Sequence, residues 1–350
     1  MVELSDGLEG YGKLGPRRRE EKPPDLSLSK QADKTADEAK QLESKSDLDR
    51  AEDFYGNALE FVTAILNKVA EGKEAQIHGK DIRKWTEASC DHFLKFIDSN
   101  DLARLVFQKD EYKDNYLYTH SVNVCFLSLH IACKLNFSRD RLSELLAASL
   151  FHDTGMMKVP INIWNKNGRL NSAEYGEVQK HALYGEQIFK NFTDLWEVVP
   201  VVIGQHHERS DGTGYPGHLK RDDIHYLARL ISLVDRYEAQ THSRLWRPRF
   251  LPDETMQQIL DNEANTYDPH FMKAMLRQIS MFPAGSWVKV SSGEIGNVVR
   301  INEKTPMRPV IDVVFDREKR RLEKSRTLDL SKQLLIYVER CVNPEELQGL

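Results

Sequence analysis

The sequence places metal-binding side chains at positions where helical periodicity calls for apolar core residues. A single histidine on an apolar helix face is usually an ordinary buried residue, but here the pattern recurs on several segments. Five histidines and two aspartates share it: His120, His152, Asp153, His181, His206, His207 and Asp235. Imidazole and carboxylate ligands in this number suit two divalent cations, which one carboxylate can bridge. A hydroxide held between two cations is suited to in-line attack on phosphorus, so the pattern predicts phosphodiester hydrolysis at a binuclear centre.

Helices must position these side chains, because the apolar residues around them recur every three or four positions. His120 belongs to a stripe that Val124 continues. The adjacent pair of His152 and Asp153 closes the apolar run 145–151, after which a Thr-Gly sequence predicts the end of the helix. An adjacent His-Asp pair at the end of an apolar helix is hard to explain by packing alone.

The later ligands follow the same rule. Asn171–Glu174 resembles a capping box and predicts the start of a helix whose inward face includes Tyr175 and His181. The next apolar helix brings His206 into its next inward position. Further along the chain, Asp235 interrupts an apolar stripe. A buried carboxylate without a partner costs several kcal/mol, so this position requires a cation.

Composition along the chain predicts three regions and a mainly α fold. Residues 1–50 mix charges of both signs with Pro, Ser, Gln and Gly, which predicts a disordered tail. Residues 51–281 carry helical periodicity and form the main domain. Residues 282–350 contain short β-rich runs separated by Gly, Asn and Pro, which indicate a small β-rich, barrel-like appendage.

The overall composition excludes several classes of protein. A net charge of −5 gives no global basic field for general DNA binding, which leaves a local basic pocket open. The first residues lack the features of a signal peptide, and no stretch approaches the ~20 apolar residues that cross a bilayer. The four cysteines form no CxxC pair, so we interpret them as small buried residues in a reducing compartment. These features predict a cytoplasmic protein without a membrane span.

Four ordered motifs resemble the HD-GYP branch of the HD phosphohydrolase superfamily. They lie at Phe151–Gly155, Lys180–Gly185, His206–Pro216 and Val234–Ala239. A lone His-Asp pair would be weak evidence for this family, but the ordered set of motifs with an intact Gly-Tyr-Pro is highly specific for it. The resemblance covers about residues 54–276 and implies an all-helical bundle, with its core at about 110–281, around a binuclear metal site. It also implies a bacterial phosphodiesterase that opens cyclic-di-GMP to pGpG, with further hydrolysis to GMP left open.

The resemblance also implies roles for particular residues. It makes the seven residues above ligands of two divalent ions per chain, iron or manganese, with Asp153 as the bridging and catalytic carboxylate. Glu208 and Asp211 would orient the ligand histidines and the Gly-rich loop. The implied substrate-binding residues are Gly214, Tyr215, Arg244 and Arg247. For Tyr215 a purely structural role in the turn stays open, and for the two arginines a surface position does.

The chain departs from the family pattern after the His-Asp pair, where the family usually has a glycine followed directly by a lysine. Here Met156 occupies that position, and we expect Lys158 to supply the missing cation in catalysis. The same departure supports the alternative of a catalytically weak or inactive cyclic-dinucleotide receptor or scaffold in bacterial signalling.

Two further departures concern the metal count and the substrate. Tyr116 stands where some members carry a glutamate that helps to hold a third metal, so we expect two ions. Leu245 and Trp246 replace the usual Pro-Tyr between the arginines, which leaves the preference among cyclic dinucleotides open. A homodimer or a signalling protein partner also stays open, although apolar stripes such as those of residues 54–107 more often belong to a core.

Overall fold

The computed structural model describes residues 46–95, 106, 116–164, 166, 168–242, 249–263, 265–302 and 304–347. Helices dominate this part of the chain up to residue 278. In chain order they are α1 Asp47–Ala70, α2 Gly79–Phe93, α3 Tyr116–Lys134, α4 Arg139–Phe151, α5 Ile161–Trp164, α6 Ser172–Gln179, α7 His181–Lys190, α8 Val198–Gln205, α9 Tyr226–Thr241, α10 Pro252–Asn262 and α11 Pro269–Gln278. Short 3-10 turns include Glu74–Gln76 and Thr154–Lys158.

Local capping explains where several helices begin. Ser46 and Asp49 form a capping box at the start of α1, so the helix begins inside the segment 1–50 predicted as a tail. Residues 1–45 of that segment lie outside the described residues. Asn171 accepts hydrogen bonds from the backbone of α6, and Glu174 returns the contact, which confirms the predicted capping box.

The predicted helix after Asn171 is two helices, because the chain leaves α6 at Lys180 and starts α7 at His181. The change of direction alters which face points inward. Tyr175, expected on the inward face, is 36% exposed, so that expectation is wrong. His181 is fully buried at the first position of α7, as expected.

Aromatic residues pack the two N-terminal helices against the rest of the helical domain. Phe61 of α1 stacks on Trp85 of α2 with ring centroids 4.1 Å apart. Phe54 contacts Phe126 of α3 edge-on at 5.0 Å, and Phe61 also meets Phe151 at the end of α4. One apolar cluster therefore joins α1 and α2 to the helices that carry the predicted ligands.

The C-terminal part is a five-stranded antiparallel sheet, which confirms the predicted β-rich appendage. Its strands are β1 Trp287–Val290, β2 Ile295–Arg300, β3 Val310–Phe315, β4 Arg321–Asp329 and β5 Val338–Val342, in the spatial order β4-β3-β2-β1-β5. Its core includes Val288, Ile311 and Val313 and is separate from the helical core. The backbone N–H of Cys341 donates to Asp253 Oδ2 at 2.7 Å and joins β5 to α10.

The structure shows the pairing of the cysteines and the apolar character of the helices. All four cysteines are free, and three of them are buried. Within the described residues, no helix combines the length and apolar character needed to cross a bilayer.

Candidate metal centre

The structure brings together all seven residues predicted as metal ligands, although they come from five different segments. They form two neighbouring groups, and within each group the ligand atoms lie within 4.8 Å of one another. Five of the seven side chains are buried, while His207 and Asp235 are partly exposed. The groups are Asp153, His181, His206 and His207 on one side, and His120, His152 and Asp235 on the other.

Asp153 lies between the two groups and turns one carboxylate oxygen toward each. Its Oδ1 is 3.3 Å from His181 Nε2 and 3.7 Å from His206 Nε2. Its Oδ2 is 3.6 Å from the Nε2 atoms of both His120 and His152. A carboxylate in this position has the geometry required to bridge two cations.

The backbone orients three of the histidines by the same contact. The Nδ1 atoms of His152, His181 and His206 lie 2.7, 2.7 and 2.6 Å from the carbonyl oxygen three residues earlier in the chain. A carbonyl oxygen can only accept, so Nδ1 carries the proton and donates. The Nε2 atom of each ring then keeps a lone pair, which is the form that ligates a metal.

The lone pairs of these rings face one another. The Nε2 atoms of His181 and His206 are 3.2 Å apart, and two acceptors at this distance repel unless a cation lies between them. Two nitrogens about 2.1 Å from one cation and at right angles lie about 3 Å apart. The buried Nε2 of His152 has no hydrogen-bond partner among the described residues. The donor set therefore fits divalent cations.

Glu238 contacts the candidate ligand His120, a role that the sequence pattern did not assign to it. Its side chain is fully buried in α9, three residues after Asp235. Its Oε2 pairs with Nδ1 of His120, and its Oε1 accepts from Asn123 Nδ2 at 2.8 Å. Glu238 therefore orients His120 so that Nε2 points to Asp235, 3.0 Å away. The signal that could have found it is the spacing of three residues between two carboxylates on one buried helix face.

The centre holds its acids ionised and most of its histidines neutral. Burial opposes ionisation of Asp153, but the surrounding imidazoles, His152 first among them, keep its pKa well below the usual value. Burial lowers the pKa of His152, lowers that of His181 to about 4, and lowers that of His207 well below the usual range. His120 differs: burial lowers its pKa, but the carboxylates of Glu238 and Asp235 outweigh burial and raise it to about 10.

The Gly-Tyr-Pro segment lies directly against the histidine cluster. The ring of Tyr215 packs on His207 with centroids 4.7 Å apart, and its backbone N–H donates to the carbonyl of His207 at 3.2 Å. Only glycine fits at position 214, because a Cβ there would clash with the same carbonyl oxygen at 2.5 Å. Arg244 and Arg247, predicted to bind substrate, lie outside the described residues.

Glu208 and Asp211 organise the loop around this segment. The Glu208 carboxylate accepts the backbone N–H of Gly217 at 2.5 Å and that of Leu219 at 2.9 Å. Asp211 Oδ1 accepts from the backbone N–H and hydroxyl of Thr213 at 2.9 and 2.7 Å. These contacts fit the predicted role toward the loop, and both carboxylates bind the loop rather than a ligand histidine.

The remaining predicted positions have different surroundings. Met156, at the position of the family lysine, is fully buried in the helical core. The ammonium of Lys158 pairs with the carboxylate of Glu74 in the turn between α1 and α2. The ring of Tyr116 stacks on His120, with centroids 5.2 Å apart.

Two segments of the chain match known family models. Residues 107–271 match the HD domain family, and residues 287–350 match a KOW domain associated with HD domains. The chain therefore contains a helical HD domain followed by a small β domain of the kind that accompanies it, as the sequence motifs predicted.

Individual relatives agree with this assignment. The chain is 33% identical over 202 residues to a cyclic di-GMP phosphodiesterase of Pseudomonas aeruginosa, a match that covers 58% of this chain and 49% of that protein. It is 32% identical over 171 residues to 3'3'-cGAMP-specific phosphodiesterase 3 of Vibrio cholerae, covering 49% of this chain and 37% of that protein. The matches thus span about half or less of these relatives.

A solved structure shares the fold. Bd1817, an HDG"Y"P protein from Bdellovibrio bacteriovorus, superposes with a TM-score of 0.56 over 71% of this chain and 76% of that chain. The sequence identity is 18%, so the likeness concerns the fold.

Proposed function

We propose that this protein is a metal-dependent phosphodiesterase that hydrolyses cyclic-di-GMP to pGpG. The observation that carries the proposal is the position of Asp153, whose two oxygens face two separate groups of buried ligands. A single cation would leave several of these buried imidazoles without a partner, which is costly. Two divalent ions per chain use all seven ligands, and iron or manganese suits the mixed imidazole and carboxylate set.

When bound, the cations lower the pKa of a water so that it can attack phosphorus at neutral pH, and they neutralise phosphate charge. The residues of the chain supply the geometry. Asp153 stays ionised and sets the spacing between the two groups of ligands. Tyr215, stacked beside His207, offers a ring against which a guanine base can pack. Arg244 and Arg247 are proposed to bind the phosphates through their guanidinium groups.

The choice of substrate rests on the matched relatives. Their names include phosphodiesterases for cyclic di-GMP and others for 3'3'-cGAMP. We propose cyclic-di-GMP because the chain is 33% identical to a protein named for it over the longest of the stretches compared above. Both nucleotides carry the same phosphodiester ring, so the experiment has to include both.

The proposal is tested by incubating the protein, reconstituted without oxygen with iron(II) or manganese(II), with each cyclic dinucleotide and separating the products. We expect cyclic-di-GMP to be converted to pGpG or GMP, and Asp153→Ala to abolish the conversion. Faster turnover of 3'3'-cGAMP would replace the proposed substrate. Binding without hydrolysis in metal-loaded protein would contradict the enzyme and support the receptor alternative.

We also propose a cytoplasmic location in a bacterial cell. The four free cysteines support it, because a reducing compartment keeps thiols unpaired. Fractionation of cells that express the full protein tests this, and recovery with the membrane or the periplasm would contradict it.

A further inference from the structure

The metal centre is connected to a helix that lies outside the matched HD domain. Tyr55 belongs to α1, more than fifty residues before the HD match begins at residue 107. Its side chain is 1% exposed and packs edge-on against Phe126 of α3, with centroids 5.3 Å apart. Its hydroxyl donates to Asn123 Oδ1 at 2.8 Å.

Asn123 links Tyr55 to Glu238 at the centre by two hydrogen bonds. With Oδ1 held by the hydroxyl of Tyr55, its Nδ2 donates to Glu238 Oε1 at 2.8 Å. The opposite orientation of the amide would turn its oxygen toward the carboxylate, where two acceptors repel. Asn123 is 2% exposed, so its contacts are made with protein atoms. The carboxylate of Glu238 thus fixes the orientation of the amide, and the Tyr55 hydroxyl supports that orientation by donating to Oδ1 and holding the side chain of Asn123 in place.

Glu238 completes the connection to a proposed ligand. Its Oε1 accepts a hydrogen bond from Asn123 Nδ2 and lies 3.2 Å from Nδ1 of His242. Its Oε2 pairs with Nδ1 of His120. A carboxylate fixed at both oxygens holds the imidazole of His120 in one tautomer and one ring orientation. In that orientation Nε2 faces the carboxylates of Asp235 and Asp153.

We propose that Tyr55 is a positioning residue of the metal centre, acting through Asn123 and Glu238 on the ligand His120. Helix α1 then belongs functionally to the centre. The hydroxyl of Tyr55 helps to set the affinity for the cation that His120, His152 and Asp235 would hold. The inference rests on the metal centre proposed above and is independent of the substrate.

The test compares two tyrosines that both join α1 to α3. Tyr55→Phe removes one hydroxyl and keeps the packed ring. Tyr118→Phe is the matched control, because Tyr118 Oη donates to Asn67 Oδ1 at 2.9 Å and that contact does not lead to Glu238. Manganese(II) affinity of metal-free protein is measured by competition with a chelator, and the unfolding of the metal-free proteins is measured in parallel.

Partners of metal ligands typically change affinity by about 10- to 100-fold when they are removed. Because Tyr55 lies two residues beyond Glu238, the direct partner of His120, we expect Tyr55→Phe to weaken one of two manganese sites by about tenfold, at the lower end of that range. We expect Tyr118→Phe to stay within twofold of the natural protein, at comparable metal-free stability. Equal affinities of Tyr55→Phe and the natural protein would overturn the inference, as would equal weakening in the two variants.

A double variant tests the route. If Tyr55 acts through Glu238, then Tyr55→Phe combined with Glu238→Gln binds manganese no more weakly than Glu238→Gln alone. Additive losses would refute the route. Should Tyr55→Phe fail to fold, Asn123→Ser interrupts the same connection and takes its place. A natural protein that binds no cation would overturn the metal centre and this inference together, whereas metal binding without hydrolysis would affect only the proposed substrate.

Discussion

Replacing Gly155 with alanine tests whether close packing of two ligand-bearing segments sets the spacing of the metal centre. Gly155 lies in the turn Thr154–Lys158, two residues after Asp153. A Cβ at this position would lie 1.9 Å from the carbonyl oxygen of His181 and 2.5 Å from the backbone nitrogen of Gly185. Both neighbours are backbone atoms of α7, so no side-chain rotation relieves the clash.

The size of the required movement follows from these distances. Real Cβ atoms essentially never approach a neighbour closer than 3.0 Å, so the turn and α7 must separate by about 1.1 Å. Metal–ligand distances tolerate roughly 0.2 Å. The distance between Asp153 Oδ1 and His181 Nε2, now 3.3 Å, therefore widens by several times that tolerance. We expect Gly155→Ala to lose at least one cation per chain and about 1–3 kcal/mol of stability, as overpacked cores do.

Metal content after desalting and the free energy of unfolding in denaturant measure the two effects. Gly176→Ala is the control, because its Cβ would enter open space within α6. Alanine in a helix interior should raise the stability of that variant by about 0.5–1 kcal/mol. Retention of two cations at unchanged affinity by Gly155→Ala would refute the link between this contact and the ligand spacing.

Three further predictions concern the metal ions, the Gly-Tyr-Pro loop and Lys158. Metal analysis should give two ions per chain, and three tightly bound ions would contradict this prediction. Removal of the metal by a chelator should lower the melting temperature, because a metal ion present at 100 times its Kd stabilises the folded protein by about 2.7 kcal/mol. Glu208→Gln weakens the contacts to the N–H groups of Gly217 and Leu219, so KM should rise several-fold while metal content stays the same. Lys158→Ala should lower kcat about 10²-fold if its ammonium leaves Glu74 to serve the substrate; unchanged rates would exclude that role.

The candidate ligands could be predicted from sequence because most of them violate a strong local rule. A charged or metal-binding residue in an apolar helical stripe is costly to bury without a partner. His181 and Asp235 could therefore be recognised as candidate ligands from their positions in the sequence. The capping box at Asn171 was equally local, since its partners are three residues apart. Such signals need only the helical repeat and the cost of burying a polar group.

Contacts between distant segments had no comparable signal. Tyr55 and Asn123 are separated by 68 residues and His120 and Glu238 by 118, so only the packing of whole helices brings them together. The exposure of Tyr175 was missed for a related reason, because the break at Lys180 depends on how α6 and α7 pack. Tertiary packing, rather than periodicity, decides these positions.

The methionine at position 156 has an explanation in the packing of the core. Its side chain is fully buried, and an unpaired ammonium there would lose its hydration at a cost of several kcal/mol. Gly155 is held against the backbone of His181, so this segment cannot easily shift to expose position 156. The next cation along the chain, Lys158, is neutralised by Glu74. If Lys158 stays paired with Glu74, the positive charge at the phosphates comes from the proposed metal ions together with the two arginines proposed to bind the substrate, so metal content and kcat should fall together in variants that loosen the ligands.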